Sequence, residues 1–185
     1  MDVNILLFPD FTALDVFGPV EVLSTVEDYK IRFVSREGGV ITNHQNISII
    51  TEKADEAEKK AIWFIPGGWG TRALCRDEDY ISWLKGIAEG SLWFLTVCTG
   101  SAVLARTGLL DGKHATSNKK ALEWVMSQGP GVLWDKKARY CAEGKYYTSS
   151  GVSAGIDMAL GFVKDRYNLA KAEGIAKKME YVWNR

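Results

Sequence analysis

The stretch Leu92-Trp-Phe-Leu-Thr-Val-Cys98-Thr99-Gly100-Ser101-Ala102 decides the fold class of this 185-residue chain. Its first six residues are predominantly apolar on both faces of an extended strand, which is typical of a parallel sheet covered by helices on both sides. Small residues then open a helix directly behind Cys98. This junction is typical of a nucleophile elbow, in which a tight turn projects a nucleophile from the carboxyl edge of a sheet.

Strand and helix patterns alternate along the whole chain. Two antiparallel hairpins are predicted at residues 40–51 and 139–149, the second turning at Glu143-Gly144. The pattern, without repeat or linker, predicts one α/β domain over residues 1–185 with a mostly parallel sheet between helices. The predicted strands are residues 3–8, 29–34, 61–65 and 92–97, and the predicted helices are 12–26, 77–89, 99–107, 118–128, one from about 153, and 169–183.

Charge and composition narrow the classes of function. Lys plus Arg and Asp plus Glu number 23 each, so no basic excess is available for nucleic acid or an anionic membrane. The start lacks the pattern of a signal peptide, and the apolar runs are too short for a membrane span. We therefore expect a cytoplasmic protein without nucleic-acid or membrane partners. We expect no DNA-binding module either, since 185 residues leave no room for one beside this domain.

Cysteines are scarce, which limits the mechanisms open to the chain. Cys75, Cys98 and Cys141 show no metal-ligand spacing, so we expect no metal site. Only Cys98 stands at a strand–helix junction, where a helix N-terminus would lower the thiol pKa from about 8.5 toward roughly 3.5–7.5. The competing interpretation is a small buried apolar residue, which is how most unpaired cysteines behave.

A Gly-rich turn follows the predicted strand at 61–65 and supplies further candidates. The backbone N–H groups of Gly68 and Thr99 are candidate oxyanion donors, because both would lie at the same sheet edge. Trp69 could shape an apolar pocket there, whereas Trp124, inside a helix pattern, is predicted to be a core residue. Taken alone, this segment is equally consistent with a plain turn.

Asp15 lies just past the first predicted strand. Its neighbours Gly18 and Pro19 leave room for another element to approach closely, and Pro19 is expected to kink or restart the helix. A carboxylate near the sheet edge could share a proton with Cys98 or position a water molecule. Without such a context, an exposed helix carboxylate is the simpler interpretation.

Together these motifs resemble the ThiJ/PfpI superfamily, which shares the class I glutamine amidotransferase-like fold. The combination L-D-x-x-G-P and V-C-T-G-S is most similar to the isonitrile hydratase branch. The resemblance implies a flavodoxin-like α/β/α sandwich and a homodimer. It covers nearly the whole chain and rests on Phe8-Pro-Asp-Phe-Thr-Ala-Leu-Asp15-Val-Phe-Gly-Pro19, Ile65-Pro-Gly-Gly68, Val97-Cys-Thr-Gly-Ser-Ala-Val-Leu-Ala105, Gly108-Leu-Leu-Asp-Gly112 and Thr148-Ser-Ser-Gly-Val-Ser-Ala-Gly-Ile-Asp157-Met-Ala-Leu160.

In that branch the nucleophile maps to Cys98, its acidic partner to Asp15 and its polar neighbour to Thr99. The resemblance implies thiolate attack on a small electrophile, an isonitrile, to give a thioimidate. Water then releases an N-substituted formamide and restores the thiol. No metal or organic cofactor is implied.

The chain departs from other branches at two histidine positions. Thr99 stands where protease- and deglycase-like members commonly carry a histidine, and Asn118 stands where many members carry another. Neither His44 nor His114 occupies an expected catalytic place. These departures disfavour peptidase and glyoxalase or deglycase functions, and they leave general-base work to Asp15 alone. A redox or stress sensor that uses Cys98 remains an alternative.

Overall fold

The computed structural model describes residues 1–184 and contains a central eight-stranded sheet. A separate pair of short parallel strands, formed by His114–Ala115 and Leu133–Trp134, lies outside this sheet. The strands are β1 (Asp2–Leu6), β2 (Lys30–Ser35), β3 (Gly39–Thr42), β4 (Ser48–Lys53), β5 (Ile62–Ile65), β6 (Trp93–Val97), β7 (His114–Ala115), β8 (Leu133–Trp134), β9 (Tyr140–Glu143) and β10 (Tyr146–Ser149).

Seven α-helices of the described chain flank the sheet. The sixth helix packs against the first and the seventh, and the fourth packs against the second, third and fifth. No helix within residues 1–184 is long and apolar enough to cross a membrane. The helices are α1 (Ala13–Ser24), α2 (Thr71–Leu74), α3 (Glu78–Gly90), α4 (Gly100–Arg106), α5 (Leu122–Gln128), α6 (Ala154–Arg166) and α7 (Leu169–Lys178).

The sheet order is β3-β4-β2-β1-β5-β6-β10-β9. The six inner strands run parallel, and the outermost strand at each edge is antiparallel to its neighbour. The mostly parallel sandwich and both predicted hairpins are therefore confirmed. Every residue of β5 is buried, as expected for a strand with helices over both faces. The strand order reverses between β1 and β5, and ligands of such folds bind at the carboxyl ends of strands beside that point.

The restart predicted at Pro19 is wrong. Helix α1 runs from Ala13 to Ser24 with Pro19 inside it, although Pro19 has no N–H to donate to the Asp15 carbonyl one turn earlier. The proline ring is buried against α6, where a Cβ on Gly155 would lie 3.1 Å from Pro19 Cγ. Packing between α1 and α6 offsets the missing helix bond.

The last helix is shorter than predicted. Helix α7 ends at Lys178, and the following chain turns back toward a carboxylate buried in α6. Asp157 Oδ1 accepts hydrogen bonds from Tyr181 Oη at 3.0 Å and from the Asn184 N–H at 2.9 Å. Residues 179–184 therefore satisfy a buried carboxylate instead of continuing the helix.

Candidate functional site

Cys98 occupies the tight turn between β6 and α4. Its backbone has a left-handed φ of 55°, a conformation that costs about 1–3 kcal/mol in a residue other than glycine. The Cys98 N–H donates to the Ser149 carbonyl at 3.1 Å, which ties the turn to β10. A Cβ on Gly100 would lie 2.6 Å from the Ile65 carbonyl oxygen, so α4 starts directly against the end of β5. The predicted elbow is confirmed.

Asp15 lies in the first turn of α1 and is completely buried, so the interpretation as an exposed carboxylate is wrong. Its Oδ2 atom accepts a hydrogen bond from the Gly67 N–H at 3.0 Å. Burial raises the pKa of Asp15 from 3.8 to about 7, and the Gly67 N–H, the Cys98 thiol and the Val152 backbone lower that pKa by smaller amounts. Near neutral pH this carboxyl group can both accept and donate a proton.

Gly67 is the point where the predicted catalytic groups meet. A Cβ on Gly67 would lie 2.7 Å from Cys98 Cβ, 2.7 Å from the Thr99 nitrogen and 2.8 Å from Asp15 Oδ2. Only a glycine leaves the space in which these three atoms converge. The structure therefore brings together Asp15 from α1 and Cys98 and Thr99 from the elbow, the three residues that the sequence selected.

The Cys98 thiol differs from its sequence-based expectation. Burial raises its pKa from 9.0 to about 12, and the negative charge of Asp15 raises it further. The Thr99 N–H and the Asn118 side chain lower the pKa by less. The predicted depression is wrong in direction, because burial outweighs the dipole of the seven-residue α4. With its pKa raised in this way, the Cys98 side chain is a protonated thiol at neutral pH.

The side chain of Thr99 is hydrogen-bonded to the Gly-rich turn that follows β5. Its Oγ1 accepts the Gly68 N–H at 3.1 Å and lies 3.0 Å from Thr71 Oγ1. The Gly68 N–H is therefore engaged within the protein, which removes it as an oxyanion donor in this conformation. The Thr99 N–H faces the Cys98 sulfur and is the backbone donor at the elbow.

Asn118 is the residue whose role the sequence did not assign. Its Oδ1 accepts the backbone N–H groups of Lys120 at 2.9 Å and Ala121 at 3.2 Å, so it caps the 3₁₀ turn before α5. Its amide group reaches Cys98 and lowers the thiol pKa. The signal in the sequence was the resemblance described above, which implies a histidine at this position in other members. An amide can donate to sulfur there, but it cannot remove a proton.

The other cysteines and both histidines lie away from this site. Cys75 is buried near Arg106, and Cys141 is half-buried in β9. His44 and His114 are exposed and line no part of the pocket at Cys98. Within residues 1–184, no group of three His, Cys, Asp or Glu side chains is placed to hold a metal ion.

A pocket of about 370 Å³ opens in front of the Cys98 thiol. Trp69 stands at its mouth, 68% exposed, as predicted for a pocket residue. The Arg72 guanidinium lies 4.1 Å from the ring centroid of Trp69 and 4.6 Å from that of Trp124. Trp124 is only half-buried, so it serves this stack as well as the core. The lining residues are Thr12, Gly68, Trp69, Arg72, Cys98, Thr99, Asn118, Lys120 and Ala121.

The sequence matches one protein-family model, and its relatives include an enzyme and a transcriptional regulator. Residues 1–165 match the model of the DJ-1/PfpI family. The isonitrile hydratase of Pseudomonas putida is 28% identical over 182 residues, which cover 98% of this chain and 78% of that protein. The HTH-type transcriptional regulator CdhR of Pseudomonas aeruginosa is 27% identical over 85% of this chain and 48% of the regulator. The chain thus spans about half the length of that regulator.

Solved structures share the fold. A ThiJ/PfpI family protein from Pseudomonas syringae superposes with a TM-score of 0.86 at 26% identity, covering 100% of this chain and 76% of that one. Drosophila melanogaster DJ-1beta superposes with a TM-score of 0.82 at 17% identity, covering 98% of each chain. At that identity the second likeness concerns the fold alone.

Proposed function

The chain belongs to the DJ-1/PfpI family, and on this premise we propose that it uses Cys98 to hydrate an isonitrile to an N-substituted formamide. The observation that carries the proposal is the convergence of Cys98 Cβ, Asp15 Oδ2 and the Thr99 nitrogen within 2.8 Å of one point at Gly67. The isonitrile hydratase of Pseudomonas putida is 28% identical in an alignment that covers 98% of this chain, and this similarity supports an isonitrile as the substrate.

The first step forms a carbon–sulfur bond. As Cys98 sulfur attacks the terminal carbon of R–N≡C, the thiol proton passes to the Asp15 carboxylate. Asp15 then delivers that proton to the same carbon, and the product is the thioimidate R–N=CH–S–Cys98. The thiol hydrogen and sulfur have thereby added to one carbon, and Asp15 is again a carboxylate.

The second step is hydrolysis. Asp15 takes a proton from a water molecule while the water oxygen attacks the thioimidate carbon, and the adduct nitrogen is protonated from Asp15. The carbon–sulfur bond then breaks, the hydroxyl proton returns through Asp15 to sulfur, and R–NH–CHO leaves. The sum is one isonitrile and one water converted to one formamide, with no change of oxidation state in the protein.

Burial of Asp15 explains how the site can work without a histidine. A general acid–base is most effective when its pKa lies near the working pH. Burial gives the Asp15 carboxyl a pKa of about 7, which is the range of an ordinary imidazole. The same group lies beside the Cys98 thiol and acts on its pKa, which supports the proposed role of Asp15 as the proton relay.

No observation favours the redox-sensor alternative over catalysis. Peroxide reacts with an accessible thiolate of low pKa. Cys98 is buried, and burial raises its pKa to about 12. These properties suit a thiol that is deprotonated during substrate attack, with Asp15 taking the proton.

The test is incubation with an aromatic isonitrile while the corresponding formamide is followed by chromatography. We expect turnover by the native protein, none by Cys98→Ala, and native rates in Cys141→Ser, whose half-buried cysteine lies outside the pocket. Full activity in Cys98→Ala would overturn the proposal. Homodimer formation and a cytoplasmic location belong to the same proposal and are checked by light scattering and cell fractionation.

A further inference from the structure

Arg72 lies in the pocket wall within contact distance of two indole rings. Its guanidinium carbon lies 4.1 Å from the Trp69 centroid and 4.6 Å from the Trp124 centroid, which is within cation–π range for both. Both ring contacts hold the guanidinium at the pocket wall. Neither contact uses an N–H group, so the five N–H donors of the fork can still form hydrogen bonds.

No acidic side chain within residues 1–184 forms an ion pair with Arg72. The ion pairs of the described chain involve other cations, namely Arg32, Arg36, Lys53, Arg106, Arg139 and Lys164. The guanidinium fork is therefore left for a group from outside the chain.

The charge of the pocket has one sign. Arg72 and Lys120 line it, and no Asp or Glu does, since the Asp15 carboxyl lies buried behind Cys98. Two cations thus face a cavity of about 370 Å³ in a protein whose formal net charge is zero. Such a wall attracts an anion and disfavours a cationic substrate.

We propose that Arg72 and Lys120 form an anion subsite and that the substrate carries a carboxylate there while its reactive carbon reaches Cys98. A planar, single guanidinium matches a carboxylate through two parallel N–H···O bonds. Trp69 and Ala121 supply apolar wall for a short scaffold between the two ends. This subsite rests on the proposed function in one respect: the hydration reaction identifies the isonitrile carbon as the atom that reaches Cys98.

The first experiment does not depend on turnover. Second-order rate constants for alkylation of Cys98 are measured with anionic iodoacetate and neutral iodoacetamide, and the Cys98 peptide is quantified by mass spectrometry. We expect the iodoacetate-to-iodoacetamide ratio to fall about tenfold in Arg72→Gln. Arg72→Lys should give an intermediate ratio because it keeps the charge but loses the fork. Arg76→Gln, outside the pocket, should match the native protein.

The Cys141 peptide in the same digests gives the internal reference, because Cys141 lies outside the pocket. Its ratio should be the same in the native protein and in Arg72→Gln. An unchanged Cys98 ratio in Arg72→Gln, with circular dichroism showing a folded protein, overturns the anion subsite.

The second experiment compares para-isocyanobenzoate with its methyl ester. We expect kcat/KM to favour the acid at least tenfold in the native protein and the preference to vanish in Arg72→Gln. Equal turnover of both compounds in both proteins would refute the subsite and leave hydration standing. Turnover of neither compound, together with the expected alkylation ratios, would refute hydration and leave the subsite standing.

Discussion

Asp15 Oδ2 accepts a fully buried hydrogen bond of 3.0 Å from the Gly67 N–H, and this bond holds the carboxyl group beside the Cys98 thiol. It joins the first turn of α1 to the turn that follows β5, two segments 52 residues apart in the chain. Burial raises the pKa of Asp15 by more than the Gly67 N–H, the Cys98 thiol and the Val152 backbone lower it, so the pKa stays at about 7.

Asp15 makes stability depend on pH with a defined sign. Its pKa is raised from 3.8 in the unfolded chain to about 7 in the fold, so the folded state binds more protons between those values. Its contribution to stability is therefore fully present below pH 4 and is lost as the pH rises through 7. Relative to the native protein, Asp15→Asn should gain up to about 4 kcal/mol between pH 4 and pH 8. Urea unfolding at both pH values measures this, and a constant difference would contradict it.

Asp15→Asn should separate thiol reactivity from catalysis. The Asp15 charge raises the pKa of Cys98, so its removal should move the midpoint of Cys98 alkylation to lower pH. Loss of the proton relay should reduce isonitrile hydration by about 10²–10⁴-fold. Quenched alkylation reactions at a series of pH values measure the first effect, and formamide assays on the same preparation measure the second. Asp10→Asn, an exposed acid, is the control. A parallel fall of both rates would count against a relay.

Gly67→Ala should disable the site through crowding. The added methyl would lie within 2.8 Å of Cys98 Cβ, the Thr99 nitrogen and Asp15 Oδ2, so at least one must move. We expect a loss of about 1–3 kcal/mol in unfolding free energy and at least a tenfold loss of hydration rate. Gly86→Ala, in the middle of α3 with open space around it, should instead gain about 0.5–1 kcal/mol with native activity. Native activity in Gly67→Ala would show that the convergence is unimportant.

Asn118 should show two separable roles. Asn118→Ala removes both the cap and the donor to sulfur, so we expect a loss of about 1 kcal/mol and slower Cys98 alkylation. Asn118→Asp keeps the cap acceptor but places a negative charge near the thiol, so alkylation should slow without the loss of stability. Asn168→Ala removes a similar cap from α7, with an accepted bond of 2.9 Å, and should affect stability alone. Equal alkylation rates in all three variants would contradict the role at Cys98.

Thr99 should act as a positioning residue. Thr99→Val leaves the Gly68 N–H without its 3.1 Å acceptor, at a cost of about 1–3 kcal/mol. We expect Thr99→Val to raise KM and lower kcat together, because the turn that carries Trp69 loses its anchor. Thr99→Ser keeps the hydroxyl and should restore both constants. Failure of the serine variant to do so would indicate that the methyl group, not the hydroxyl, matters.

The sequence predicted the sheet, its hairpins and the elbow because these depend on local apolar pattern and on small residues at fixed places. It also selected Cys98, Asp15 and Thr99, which the fold brings together at Gly67. The sequence-based prediction of a lowered Cys98 pKa was wrong in direction. Burial of the thiol, which raises the pKa, depends on how the whole molecule packs and not on the local strand–helix junction. The stack of Arg72 on Trp124 joins α2 to α5, two segments 52 residues apart, and no local pattern encodes that contact.

A histidine brings its working pKa from its own chemistry, whereas Asp15 obtains one from the packing around α1. Pro19 lies one helical turn beyond Asp15 and packs on Gly155, so the contact between α1 and α6 helps to keep water from the carboxyl. Any change that loosens this contact would hydrate Asp15 and lower its pKa toward 3.8. In the proposed hydration, the rate on the acid side of the pH profile would therefore depend on how tightly α1 and α6 are packed, although that contact lies outside the pocket.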